Sequence, residues 1–306
     1  MKAIVYHEFG SLSSGEYKEQ SGPEIKSGTL KIKVAYAGII PFDIKVLDKT
    51  IPMPHLKFPF IPGAEFSGEV LEVAEDLKGW KRGDVVCGNP KKYGGAFAEE
   101  FVVKADEVCK VPKGMAMSLA AACPVSALAA WHGLFDAGKL EANQKVLIVG
   151  ASGNVGSFAV QFAKQKKAEV YAVGSSRYEF NVLDLGADHY LDYKADDYLK
   201  GLPAFDLVLD MVGGKAQDQL IPLLKKGGRI VSLVQEPNED LVKEYQVQAH
   251  LLNSGPNPKE LEKILDQVTK GMIKVKGVEE YPLQDAVQAF AAMSDKDKNS
   301  KCLLKN

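Results

Sequence analysis

Three glycines, spaced three residues apart, stand between an apolar segment and a helical segment near the middle of the chain. They are Gly150, Gly153 and Gly156, preceded by residues 145–149 (KVLIV). Small residues let the backbone turn tightly and approach a pyrophosphate, and the start of a helix adds N–H groups and the positive end of a dipole. This strand–turn–helix context predicts a dinucleotide site, although the spacing is one residue wider than the usual fingerprint. The alternative is a tight turn without a ligand.

The end of the next predicted strand carries residues that distinguish between the two nicotinamide dinucleotides. An NAD enzyme usually places an acid there, about 20 residues after the glycines. This chain has Ser175, Ser176 and Arg177 instead. Two hydroxyls and a guanidinium suit a 2′-phosphate, so the sequence favours NADPH over NADH. The alternative interpretation is a polar loop with no ligand.

The composition is that of a soluble protein with two domains. The chain has 306 residues, 46% of them hydrophobic and 25% charged, with a net charge of −2. This near-neutral charge provides no field for nucleic acid, and no segment resembles a membrane span or a signal peptide. We therefore expect a cytoplasmic protein that binds neither nucleic acid nor membrane. Four scattered cysteines without a C-x-x-C pair predict reduced, buried thiols.

The pattern of elements changes along the chain. Up to about residue 110, short alternating strands and frequent Pro and Gly predict a mostly β domain. Its strands include residues 29–36, 68–74 and 98–103. Residues 118–135 have a helical composition, with Ser118 as a possible cap. From residue 145 onward, strands alternate with helices, which predicts a parallel, doubly wound sheet. The predicted strands are 145–149, 169–174, 205–210 and 229–233, and the predicted helices are 154–165, 179–185, 216–224, 258–269 and 283–293.

Six further segments, spread along nearly the whole chain, carry a family resemblance. They are residues 38–45 (GIIPFDIK), 62–68 (PGAEFSG), 94–99 (GGAFAE), 205–214 (FDLVLDMVGG), 226–231 (KGGRIV) and 281–283 (YPL). In this order they resemble the zinc-free quinone oxidoreductase branch of the medium-chain dehydrogenase/reductase superfamily. The resemblance implies an α/β fold with a Rossmann domain, residues 118–270. It also implies a GroES-like β-rich domain formed by both chain ends, residues 1–117 and 271–306, and a possible homodimer.

Two positions decide the expectation about zinc. Ile40 and Ala64 stand where the alcohol dehydrogenase branch has a cysteine and a histidine that bind catalytic zinc, and neither side chain can bind a metal. We therefore expect no metal. Without this Lewis acid, alcohol oxidation is disfavoured. We expect hydride transfer from NADPH to a small electrophile, a quinone or an α,β-unsaturated carbonyl.

The resemblance also assigns site residues. The pyrophosphate turn consists of Gly150, Ser152, Gly153, Asn154, Val155 and Gly156. The residues that would hold the 2′-phosphate are Ser176, Arg177 and Tyr193. Val212 and Gly213 form the loop beside the ribose, and Lys301 matches a late lysine of the family. Lys45 matches a lysine that faces cofactor and substrate in part of the family. Tyr93 is a candidate proton donor, with an ordinary turn tyrosine as the alternative. His55 is a weaker candidate on the substrate side.

Two departures from the family pattern leave a second function open. Many relatives have asparagine at the position of Ile40 and threonine at the position of Ala129. Both changes make the expected pocket more apolar. The alternative function is therefore an NADPH-binding sensor or partner protein with little turnover. A Y-x-x-x-K match at Tyr190–Lys194 is interpreted as coincidence, since it lies on a predicted strand and not on a later helix.

Overall fold

The computed structural model describes residues 1–295 and 299–306, which form two compact units. Unit 1 consists of Met1–Val125 and Gly255–Asn306, and unit 2 consists of Ser126–Ser254. The domain limits expected from the sequence, at 118 and 271, stay a prediction. Among the described residues, no helix combines the length and apolar character needed to cross a membrane.

The elements are numbered in chain order. The strands are β1 (Lys2–Val5), β2 (Glu16–Glu19), β3 (Thr29–Gly38), β4 (Glu65–Val73), β5 (Val85–Gly88), β6 (Glu100–Lys104), β7 (Val108–Lys110), β8 (Lys145–Val149), β9 (Glu169–Gly174), β10 (His189–Asp192), β11 (Phe205–Asp210), β12 (Leu224–Ser232), β13 (Gln248–Leu251), β14 (Val278–Pro282) and β15 (Lys301–Lys305). The helices are α1 (Pro41–Leu47), α2 (Met117–Ala122), α3 (Pro124–Trp131), α4 (Asn154–Gln165), α5 (Glu179–Asp184), α6 (Lys215–Leu220), α7 (Glu239–Glu244), α8 (Pro258–Thr269) and α9 (Ala286–Ser294).

Unit 1 is built on a mixed sheet that joins early and late segments of the chain. Its strand order is β14–β15–β3–β4–β5–β7, with β6 also paired to β3 and with β1 and β2 forming a separate hairpin. The late strand β15 lies between β14, to which it is parallel, and the early strand β3, to which it is antiparallel. Alternating side chains of β3, including Leu30, Ile32 and Val34, are buried in the core.

Unit 2 contains a parallel sheet whose strand order reverses in the middle. The order within the described residues is β10–β9–β8–β11–β12–β13. All five pairings are parallel. The central strands β8, β9 and β11 are largely apolar because the sheet is covered on both faces. This is the predicted doubly wound sheet, so the α/β fold class is confirmed.

Most predicted elements from residue 118 onward are confirmed, and three differ from the prediction. Residues 118–135 do not form one helix, because Pro124 has no N–H to donate and the chain breaks into α2 and α3. Ser118 is not the cap, since α2 begins after Ala116. The predicted helix 216–224 ends early at Leu220, and β12 begins at Leu224, five residues before the predicted start. The four cysteines are buried and form no disulfide, as predicted.

A buried ion pair connects β15 to β4. Glu65 and Lys301 are 0% and 2% exposed, and their carboxylate and ammonium groups are in contact. The Lys301 ammonium also donates to the carbonyl of Ile39 at 3.0 Å. The second carboxylate oxygen of Glu65 accepts the N–H of Val125 at 2.8 Å. Every charged group of this pair is therefore compensated inside unit 1.

Removing one member of this pair is expected to destabilise the protein strongly. Lys301→Met leaves the Glu65 carboxylate buried without its counter-charge, and we expect a loss of about 3–5 kcal/mol in the free energy of unfolding. Urea unfolding followed by circular dichroism measures this loss.

Two further variants serve as controls. Lys305→Met removes the partner of Glu280 at a lysine side chain that is 54% exposed, and we expect a change of about 1 kcal/mol or less. The double variant Glu65→Gln/Lys301→Met should recover part of the loss. A single Lys301→Met variant as stable as Lys305→Met would contradict the prediction.

Candidate functional site

The glycine turn joins β8 to α4 through an unusually close backbone contact. Gly150 has a φ of 86°, which favours glycine. A Cβ atom at Gly156 would lie 2.3 Å from the carbonyl oxygen of Gly150, so no other residue fits there without backbone movement. The N–H groups of Gly150 and Ala151 both donate to the carbonyl of Val173, at 3.1 and 3.0 Å. The turn is thus fixed to the end of β9.

The turn lies where the strand order of unit 2 reverses. From the central strand β8, the chain passes through α4 to β9 on one side, while β11 lies on the other side. Crevices that bind ligands in such sheets form at this point, beyond the carboxyl ends of the strands. The first N–H groups of α4 have no acceptor within the helix and are directed toward this edge. The carboxamide oxygen of Asn154, the first residue of α4, is buried without a hydrogen-bond partner.

The loop after β11 reaches the same edge. Asp210 is 1% exposed and accepts the N–H groups of Val212 and Gly213, at 2.9 and 3.1 Å. The same carboxylate accepts a hydrogen bond from the Gln217 carboxamide at 2.9 Å. Val212 is 56% exposed, and its Cγ2 lies 3.2 Å from the point that a Cβ at Gly150 would occupy. The structure therefore brings Val212 and Gly213 to the glycine turn.

Four of the predicted residues gather around the end of β9. Ser176 and Arg177 are exposed in the short 3₁₀ turn that follows β9, and the guanidinium lies 5.6 Å from the ring centre of Tyr178. Tyr193 is 52% exposed, and its N–H donates to the carbonyl of Gly174 at 3.1 Å. The hydroxyl oxygen of Ser152 lies 3.5 Å from the point that a Cβ at Gly174 would occupy.

Sequence reasoning missed an acid at this strand end. Asp192 ends β10 and lies beside Gly174 in the parallel register. Its pKa is lowered by the N–H of Lys194 and by hydrogen bonds from Ser176. The residue that normally distinguishes the dinucleotides is expected on β9, whereas this carboxylate comes from the neighbouring strand. The only available signal was its position within the Tyr190–Lys194 segment, which the sequence analysis places on a predicted strand.

The other candidate residues lie in unit 1. Lys45 is half-buried in α1, and His55 is exposed. The ring of Tyr93 packs against Phe42 and Phe60, with ring centres 5.1 and 5.6 Å apart. Lys301 is held in the buried ion pair with Glu65 described above. A cofactor contact of Lys301 stays a prediction from the family resemblance.

Asp43 is a second residue that the sequence analysis did not select. It lies in the first turn of α1, where its Oδ2 accepts the N–H of Ile40 at 2.8 Å. Its Oδ1 and the hydroxyl of Tyr93 are both buried without a hydrogen bond of normal geometry. Burial raises the pKa of Asp43 to about 7. Burial and the nearby charge of Asp43 also raise the pKa of Tyr93.

The polar groups at the edge of the unit 2 sheet suit a dinucleotide phosphate. The edge of unit 2 offers helix-start N–H groups, hydroxyls and one guanidinium, which are the donors that phosphate groups require. In the described ranges, 1–295 and 299–306, no group of three or more His, Cys, Asp and Glu side chains is placed to hold a metal ion.

A single methyl group at Gly156 should disrupt the turn. We expect Gly156→Ala to lower the free energy of unfolding by about 1–3 kcal/mol, because its Cβ would overlap the Gly150 carbonyl. Thermal unfolding measures the effect. Gly153→Ala is the matched control: the φ of Gly153 is −73°, and its nearest contact would be 3.2 Å. Equal losses in the two variants would contradict this interpretation of the turn.

Comparisons with known proteins identify the family. The alcohol dehydrogenase GroES-like domain matches residues 26–113, and the zinc-binding dehydrogenase family matches residues 185–304. A chloroplast envelope quinone oxidoreductase homolog of Arabidopsis thaliana is 31% identical over 99% of this chain and 98% of its own length. A mitochondrial NAD(P)H oxidoreductase of Danio rerio is 36% identical over 66% of this chain.

The match to the Danio rerio protein covers 58% of that relative's length. Among solved structures, the quinone oxidoreductase from Coxiella burnetii superposes with a TM-score of 0.93 at 27% identity, covering 100% of this chain and 99% of that one. The fold, the motifs and these matches agree with the resemblance found in the sequence. The chain belongs to the medium-chain dehydrogenase/reductase superfamily, in its quinone oxidoreductase branch.

Proposed function

We propose that this oxidoreductase uses NADPH, without zinc, to reduce a quinone or an α,β-unsaturated carbonyl. One observation carries the proposal: the glycine turn, the Val212 loop and the end of β9 meet at the reversal point of the parallel sheet. Each of the three contributes a different part of a dinucleotide site. The small electrophile and its reduction are inferred from the branch to which the chain belongs.

Each group of residues has a separate role in holding the dinucleotide. The backbone from Ser152 to Gly156 binds the pyrophosphate, because the turn has no bulky side chain and α4 begins there. Val212 and Gly213 line the ribose. Arg177 and Ser176 bind the 2′-phosphate. When bound, the nicotinamide supplies the hydride that reduces the acceptor.

The chemistry that we propose does not need a metal. Ile40 and Ala64, the positions of two zinc ligands in the alcohol dehydrogenase branch, have no atom that can bind one. An acceptor that delocalises its own negative charge, as quinones and enones do, is the substrate best suited to such a site. The chain then has to orient the acceptor, exclude water and deliver one proton. Lys45 and Tyr93 are the candidate donors.

A second function, an NADPH sensor or partner protein with little turnover, is supported by two apolar positions. Ile40 and Ala129 are 7% and 5% exposed and contribute no polar group. NADPH binding without reduction of any acceptor would favour this function.

A paired titration tests the choice of dinucleotide. We expect the protein to bind NADPH more tightly than NADH and Arg177→Ala to reduce NADPH affinity about tenfold or more, because a charge-assisted contact with the 2′-phosphate is lost. NADH affinity should change little. Quenching of protein fluorescence measures both affinities.

Asp192→Asn is the matched variant on the neighbouring strand. If the 2′-phosphate lies at Arg177, removing the nearby carboxylate should leave NADPH binding equal or tighter. A selective loss of NADH binding in Asp192→Asn would instead assign this carboxylate to the ribose hydroxyls and overturn the preference for NADPH.

A stopped-flow experiment tests the reaction. NADPH-loaded protein is mixed with a panel of quinones and a panel of enones, and the loss of cofactor absorbance is followed. We expect rapid oxidation by at least one acceptor, and the same rate after dialysis against a zinc chelator. A rate that falls on dialysis and returns with zinc would contradict the metal-free mechanism. No oxidation by any acceptor would refute the reductase and leave the sensor.

The homodimer and the cytoplasmic location expected from the sequence are likewise proposals. The two relatives described above are named as chloroplast envelope and mitochondrial proteins.

A further inference from the structure

We propose that unit 1 has a binding site of its own for a small organic carboxylate, in a cavity between β6 and the segment that follows β5. This β6 cavity has a volume of about 440 Å³. Its lining residues all lie between Thr29 and Glu107, within unit 1. The inference goes beyond the proposed function and does not depend on it, because none of the lining residues has a part in the proposed dinucleotide site or proton transfer.

The first observation is an excess of positive charge around the β6 cavity. Three lysines and one glutamate line it, which gives a formal charge of +2: Lys91, Lys92, Lys104 and Glu107. The three lysines are exposed, and none of them forms an ion pair within residues 1–295 and 299–306. By contrast, the ammonium of Lys31 on the neighbouring strand β3 lies 3.0 Å from the carboxylate of Glu100. The ammonium groups at the cavity are therefore available to an external anion.

The second observation is a free edge of β6. In the part of the chain that the structure describes, this strand pairs only with β3. The N–H of Ala105 donates to the carbonyl of Gly28 at 3.0 Å, and residues of antiparallel strands alternate between bonded and non-bonded pairs. The N–H groups of Val102 and Lys104 therefore point away from β3, and no described residue accepts them. Both residues line the β6 cavity, so two backbone donors lie at its edge.

The third observation is an apolar wall. Phe101 and Val103 line the β6 cavity, although they are only 7% and 3% exposed, because they belong to the hydrophobic core of unit 1. Pro90 lines the cavity from the segment after β5. The core holds the wall in place, and the volume falls in the range of small-molecule sites, roughly 300–1000 Å³.

These three features together define the class of ligand. A carboxylate accepts hydrogen bonds from ammonium and backbone N–H groups at the same time. Inorganic phosphate also does so, but it would leave the apolar wall in contact with water. We therefore expect a carboxylate on an apolar, aromatic or short aliphatic body. Because Lys92 and Gly94 line the cavity on either side of Tyr93 in sequence, a bound acid would also restrain the segment that carries this tyrosine.

The test is a titration of the isotope-labelled full chain with sodium phenylacetate, followed by the ¹H–¹⁵N signals of the backbone. We expect saturable shifts of the Val102 and Lys104 amide signals, with a Kd of about 1 mM or tighter. Phenylacetamide has the same shape without the charge, and we expect its binding to be at least about tenfold weaker.

Two substitutions of opposite sign probe the charges. Lys91→Gln/Lys92→Gln should weaken phenylacetate binding about tenfold or more, because two charged donors are lost. Glu107→Gln should tighten it about twofold or more, because the only carboxylate that lines the cavity is removed.

The matched control is Lys18→Gln/Lys305→Gln, which changes the net charge by the same amount at two ion-paired lysines outside the cavity. We expect it to change phenylacetate binding by less than about twofold.

Three results would overturn the proposal. The first is the absence of shifts at Val102 and Lys104, with or without shifts at the glycine turn of unit 2. The second is an equal loss of affinity in the two double variants, which would indicate a nonspecific effect of charge. The third is binding of inorganic phosphate as tight as that of phenylacetate, which would remove the role of the apolar wall. Failure of the reductase assay would leave all of these measurements unchanged.

Discussion

A buried carboxylate–ammonium pair, Glu65 with Lys301, organises the β-rich unit. It joins β4 to a strand that follows more than 200 residues later, and it fits only because Gly38 has no side chain where a Cβ would lie 2.3 Å from the Glu65 carboxylate. The same ammonium holds the carbonyl of Ile39, which sets the path of the chain into α1. Since Lys301 is paired with Glu65, Asp43 in α1 forms no ion pair within residues 1–295 and 299–306. Burial then dominates the pKa of Asp43.

In the proposed function, unit 2 has a different role, which is to hold the dinucleotide. A dinucleotide phosphate needs many donors close to the backbone, and the turn supplies them by omitting side chains at Gly150, Gly153 and Gly156. Side chains of unit 2 contribute only at the rim of the proposed site. They belong to the loop of Val212 and Gly213, whose N–H groups donate to Asp210, and to the end of β9. The proposed dinucleotide binding therefore rests on backbone geometry in unit 2, whereas the candidate proton donors, Lys45 and Tyr93, belong to unit 1.

The parts of the fold that the sequence predicted are those set by local pattern. Strands β8, β9 and β11 are largely apolar segments with clear ends. The three glycines of the turn after β8 mark the start of α4. The break at Pro124 was visible in the sequence but was outweighed by the helical composition around it. The early start of β12 depends on pairing with β11, which no local pattern of residues 224–228 reveals.

The sequence analysis selected the residues that belong to a motif and did not select those whose position depends on burial and register. The residues of the glycine turn were assigned to the pyrophosphate from their strand–turn–helix context and from the family resemblance, and that assignment stays a prediction. Asp43, Asp192 and Asp210 act through register and burial, which place them beside groups from other segments. Lys301 shows the limit most clearly. Its motif suggested a cofactor contact, while its ion pair with Glu65 spans 236 positions of sequence and became visible only in three dimensions.

Unit 1 consists of two chain segments on either side of unit 2, so it can be completed only after β15 has been synthesised. All of unit 2, Ser126–Ser254, leaves the ribosome before β15 is made, so its parallel sheet can form while unit 1 is still incomplete. During that interval, residues 36–38 of β3 are an open sheet edge, and Glu65 has no counter-charge. The nascent chain therefore carries an exposed edge and an uncompensated carboxylate until Lys301 emerges. Translation speed between residues 255 and 301 sets how long that vulnerable state lasts.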